Sequence, residues 1–163
     1  MTTWSHLIIG TILYGPQPGM VAGTLYVDTF NYLNWVTRFF SGNLPLKLLR
    51  TNPEKFDQIV DQGILWQLHQ IFNYSLWSLL ASLVFAYYFH SIDNVIGFVF
   101  FISWAIHIGV DYFTHENHYP FYPLRLLKIK NSVINYQVKN MKKTLVIDGV
   151  LFVVMVLRLV YFS

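Results

Sequence analysis

Residues 95–123 read VIGFVFFISWAIHIGVDYFTHENHYPFYP. Up to Val110 the stretch is apolar except for Ser103 and His107, and crossing a bilayer takes about 20 such residues. Val95–Val110 is therefore expected to be a membrane span. Phe72–Phe89 and Leu145–Phe162 have the same character. The end of the first stretch is the unusual part, because His107, Asp111, His115, Glu116 and His118 crowd into it.

Composition points the same way. Of 163 residues, 55% are hydrophobic and only 12% are charged, where a soluble domain has about a quarter. The absence of cysteine excludes disulfides and thiolate ligands, so a metal here would have to be held by His, Asp or Glu. The opening MTTWSH lacks a basic region and a small-residue cleavage site, so no cleaved signal peptide is expected. The expected architecture is all-α. It is a single membrane-embedded helical domain over residues 1–163, a multi-pass bundle of three clear spans plus an N-terminal segment broken by Pro and Gly.

The isoelectric point of 9.1 would suit nucleic acid, but the distribution of charge reads as topology instead. Arg38, Lys47, Arg50 and Lys55 precede the first span, and Arg125, Lys128, Lys130, Lys139, Lys142 and Lys143 lie between the second and third. A hairpin through the HSIDN turn at 90–94 would bring both basic segments to one side. By the positive-inside rule that side is the cytoplasm. The implied location is a cell (inner) membrane, with lipids as neighbours and no nucleic-acid partner.

Within residues 5–30, GPQPG at Gly15–Gly19 interrupts an apolar run. Proline lacks the backbone donor and disfavours helix just before it. Two short helices, about His6–Tyr14 and Met20–Phe30, or one bent span satisfy this pattern. Ten helical residues reach only about 15 Å, half the hydrocarbon thickness. A re-entrant hairpin would bring His6 and Asp28 to one face, and its backbone would have to be covered by protein. NYLNWVTRFF at 31–40 carries Leu33, Val36 and Phe40 at helical spacing with Arg38 opposite, which suits a separate interfacial helix.

On a helix His107 and Asp111 are i and i+4 and share a face. Ionisable groups at membrane depth are costly and face a bundle interior or cavity. A His–Asp hydrogen bond near the interface would satisfy this spacing as well as a bound ion would. Asp28, His69, His107 and Asp111 all fall at the cytoplasmic ends of their segments, and His6 joins them if the hairpin forms. Such a set of nitrogen and oxygen ligands matches zinc, with manganese as the alternative. Asp93 is positioned to cap the helix that follows it, and Asp148, one turn inside the last span, to pair with Lys142 or Lys143.

SHLIIG, AGTLYVD, LHQIFNYSL and HIGVDYFTHENHYPFYP, in that order, resemble the YdjM-like membrane-bound metal-dependent hydrolases, which are similar to the zinc-dependent phospholipase C superfamily. The resemblance covers residues 5–123. It is strongest through His107, Asp111, Thr114, Tyr119, Pro120 and Phe121. It implies metal ligation by His6, Asp28, His69, His107 and Asp111, with Ser75 retained. The sequence departs from the pattern at Val27 (Pro), Phe30 (Asp) and Tyr74 (His). Glu116, in the loop over such a site, is the candidate general base; a solvated loop acid is its other reading.

Three function classes compete. The first is a membrane-bound metal-dependent hydrolase acting on an ester or phosphoester at the cytoplasmic surface, on a lipid-like or membrane-associated substrate. The second is a non-catalytic subunit or scaffold with a degenerate site, favoured by Phe30 and Tyr74. The third is a haem protein using two His as axial ligands, for which a carboxylate one turn from His107 is poorly suited.

Overall fold

The computed structural model describes residues 3–44, 46–114, 117–124, 129–130 and 141–162. Their architecture is all-helical: α1 Thr3–Tyr14, α2 Pro18–Phe40, α3 Leu46–Thr51, α4 Pro53–Val60, α5 Ile64–Tyr74, α6 Leu76–Ser91, α7 Val95–Thr114 and α8 Met141–Phe162. A two-residue antiparallel pair, β1 Asn117–His118 with β2 Ile129–Lys130, joins the segment after α7 to the one before α8.

The break after α1 has a local cause. Gly15 takes a positive φ of 74° while its N–H still reaches the Thr11 carbonyl at 2.9 Å, the helix-ending geometry that glycine adopts without steric cost. Pro18 then opens α2 at a position that needs no donor. The N-terminal segment is thus two packed helices, as a hairpin requires. The second is longer than the sequence suggests, running unbroken for 23 residues to Phe40. No interfacial helix starts at Asn31. Asn34 is buried and donates to the Val60 carbonyl at 2.8 Å, and Arg38 donates to that of Gln62 at 2.8 Å. These polar residues tie α2 to the end of α4 rather than ending it.

Between α2 and α7 the approach is set by glycine. A Cβ on Gly19 would stand 2.5 Å from the Ile96 carbonyl oxygen, and one on Gly23 would stand 2.1 Å from that of Phe100. Only residues without a side chain allow this contact, the small-xxx-small packing seen in membrane helix pairs. Val27, Trp104 and Ile108 form the buried core beside it, flanked by Tyr26, Phe72, Phe100 and Tyr112.

The expected span Phe72–Phe89 is not one straight helix. It crosses a bend of 55° between α5 and α6. Ser75 stands at the bend, accepting from the Ser78 N–H at 3.2 Å and capping α6. The Pro120 carbonyl, on the segment after α7, accepts from the Leu76 N–H at 2.7 Å. At the α6–α7 turn Asn94 is the cap, its Oδ1 taking the Gly97 N–H at 2.9 Å. Asp93 instead occupies the left-handed turn position, with φ 55°. Among the described residues α7 alone is long and apolar enough to cross a membrane, and α5 with α6 meets the same requirement as a bent pair.

Candidate metal centre

The 3.6-residue period of α7 places Ser103, His107 and Asp111 on one line, and all three are buried. The hairpin brings two further polar groups to that line. His6 comes from α1 and Asp28 from α2, both at most 9% exposed. His6 Nε2 lies 2.9 Å from Asp111 Oδ1, and His107 Nε2 lies 3.3 Å from Asp111 Oδ2. The two imidazole rings stack face to face, their centroids 3.6 Å apart and their planes 8° from parallel.

The orientation of His107 decides what the site can do. Its Nδ1 is 3.1 Å from the Thr24 carbonyl oxygen, which can only accept, so Nδ1 carries the hydrogen. That carbonyl is within reach because Gly23, the preceding residue, lets α2 close on α7. In the neutral ring Nε2 is then a lone pair, fully buried and without a hydrogen-bond partner among the described residues. It faces Asp111 at 3.3 Å and Asp28 Oδ1 at 3.8 Å. A lone pair held against two carboxylates in a dry interior is unfavourable unless a cation, a proton or a metal ion, sits among them. A backbone carbonyl on the far nitrogen is also the usual arrangement behind a metal-ligating histidine.

His6, His107 and Asp111 offer ligand atoms that all lie within 4.8 Å of one another and could hold a metal ion. Tetrahedral zinc with bonds of about 2.0–2.2 Å sets its ligands about 3.3–3.6 Å apart. The His107–Asp111 separation already fits. The His6–Asp111 separation is that of a direct hydrogen bond and must widen on ion binding. Asp28 stands at the margin, its other oxygen accepting from Thr3 Oγ1 at 2.6 Å, while Thr114 Oγ1 donates to Asp111 at 3.3 Å. A small cavity about large enough for one water molecule continues from the His pair, lined by Thr24 and Ser103 among others.

His69 lies outside the three-residue group. It is buried on α5, with Asn73 Nδ2 3.4 Å from its Nε2 and Trp66 and Tyr74 packed on its ring at 5.0 and 5.7 Å. Tyr74 is itself buried, packed edge-on against His69. Phe30 stacks on Phe72 at 5.1 Å and 20°, in the aromatic packing. His115 and Glu116 lie outside the described residues, as does the His118 side chain. Sequence reasoning missed the Thr24 carbonyl, because any helical residue offers one. The neighbouring glycine pair Gly19 and Gly23 was the available signal. No family model, curated protein or solved structure matches the chain.

Proposed function

We propose that the chain is a membrane-bound metal-dependent hydrolase acting on an ester or phosphoester at the cytoplasmic membrane surface. The observation that carries this reading is His107 Nε2 held 3.3 Å from Asp111 and 3.8 Å from Asp28 beside a stacked His6, an arrangement that could hold a cation. Zinc suits the donor set best and manganese next. When bound, such an ion supplies Lewis-acid polarisation and activation of water. The chain's own residues hold it (His6, His107 and Asp111, with Asp28 in reserve), orient His107 through Thr24, and exclude bulk water by burial. Glu116 is the proposed general base, from its place in the sequence two residues after the end of α7.

A multi-pass membrane setting is supported by the inversion of polarity. His6, His69, His107 and Asp111 are buried, whereas Leu80, Val84, Val146, Val150 and Val153 project outward at 55–66% exposure. Exposed apolar faces on two helices suit lipid better than water, since large exposed apolar patches are rare on soluble monomers. Asp111 is about one turn from the end of α7, so the site is near one membrane surface, where the basic segments put the cytoplasm. A lipid-like substrate is the class such a depth favours. Departures at Phe30 and Tyr74 favour the alternative, a scaffold with a degenerate site.

Elemental analysis of protein purified without chelator or His-tag tests the metal. Stoichiometric zinc or manganese, with hydrolysis of chromogenic esters or phosphoesters lost in Glu116→Gln, is the expected result. Absence of zinc, manganese and iron would overturn the hydrolase in favour of the scaffold; a Soret band in the visible spectrum would mean haem.

A further inference from the structure

Helix α8 carries two charges inside an apolar sequence, Asp148 and Arg158, and the metal-site reading uses neither. Both find α1. Ser5 Oγ donates to Asp148 Oδ1, and Ser5 is completely buried. At the other end, Arg158 Nη1 lies 3.8 Å from where a Cβ on Gly15 would stand. The interval from Ser5 to Gly15 equals that from Asp148 to Arg158, about 15 Å along either helix. The acid therefore sits at the start of α1 and the guanidinium at its end, each complementing the helix dipole there.

Ser5 is the residue before His6. Adjacent side chains on a helix point about 100° apart, so one turn of α1 presents Ser5 to α8 and His6 to Asp111 on α7. We infer that Asp148 is a positioning residue of the metal centre: by holding Ser5 it fixes the rotation and depth of α1, and so the place of His6 Nε2. The need is physical. A 12-residue helix is about 18 Å long, too short to anchor itself across a bilayer, and a ligand must be held to within about 0.5 Å to act. The inference rests on the metal-site reading for its consequence, but the contact is a property of the protein alone.

Cobalt(II) binding to the full-length protein in detergent, followed by its visible spectrum, tests this. Asp148→Leu should weaken cobalt binding by about 10–100-fold, the range for groups that orient a ligand. Asp148→Asn, which keeps the accepting oxygen, should remain near wild type. The deciding comparison is the His6→Ala background, where Asp148→Leu should cause no further loss, because the route through His6 has gone. Unchanged affinity in Asp148→Leu, or an undiminished loss in the His6→Ala background, would overturn the inference while leaving the metal site standing. If wild-type protein binds no cobalt, the metal reading fails by itself. The inference is then read from the His6 imidazole ¹⁵N resonance without metal, which Asp148→Leu should move and Asp148→Asn should not. An unmoved resonance overturns it.

Discussion

Helix α7 is gripped on two faces by different means. Toward α2 the contact is backbone on backbone, with Gly19 and Gly23 against the Ile96 and Phe100 carbonyls. Toward α6 it is ring on ring: Phe101 stacks on Phe85 at 5.0 Å and on Phe89 at 5.4 Å, and Gly97 makes room for the Phe89 ring. The glycine face carries His107 and Asp111, whereas the aromatic face meets α6 through Phe101 and Gly97. Rings supply dispersion area and tolerate small shifts. Interlocked backbones do not, and a carbonyl that must meet His107 Nδ1 at 3.1 Å needs the second kind of contact. Precision and adhesion are thus supplied by opposite sides of one helix.

Substitutions on each face can break this division of labour. His107→Ala should have the largest effect, lowering metal affinity by more than about 100-fold, beyond the range of orienting groups; equilibrium dialysis with zinc measures it. Gly23→Ala comes next. Its Cβ forces α2 away from α7, at about 1–3 kcal/mol of stability, and it withdraws the Thr24 carbonyl, weakening metal binding by about 10–100-fold. Affinity equal to wild type in a folded Gly23→Ala protein would show that the close approach does not orient His107.

A smaller effect should come from pH. Imidazole ligands must be deprotonated to bind metal, so affinity should fall as pH drops, and His107→Ala should flatten the profile. Phe101→Leu should be the mildest, destabilising by less than about 1.5 kcal/mol with metal affinity unchanged. If it weakened metal binding as much as Gly23→Ala, the two faces would not be separable.

The helical period made part of this legible beforehand. His107 and Asp111 share a face whatever the tertiary fold, and the Pro and Gly run at 15–19 marked a break that left either a bent span or the hairpin that brings His6 and Asp28 to them. Sequence spacing says nothing of distant partners. Asp148 reads as a neighbour of Lys142 and Lys143, whose side chains lie outside the described residues, and spacing gave no hint of its hydrogen bond to Ser5. Residues 31–40 read as a separate interfacial helix because Arg38 stands opposite Leu33, Val36 and Phe40. Asn34 instead satisfies the end of α4, so α2 continues past the expected break. The bend at Ser75 was hidden for a similar reason, since a serine that caps α6 and one that merely rides in a helix look the same in sequence.

The Ser5–Asp148 contact spans 143 positions and the His6–Asp111 contact 105. A chain emerging from the ribosome makes α1 first and α8 after every other described helix. His107 and Asp111 can meet on α7 as soon as it is synthesised, and α1 can already pack on α2, but the Ser5 contact to α8 forms only when residue 148 has left the tunnel. Biosynthesis therefore runs in the order hairpin, half-site, closure. A nascent or truncated chain lacking α8 would carry His6, His107 and Asp111 with α1 unheld by Asp148, so the Ser5 contact is made only by a chain synthesised at least through Asp148.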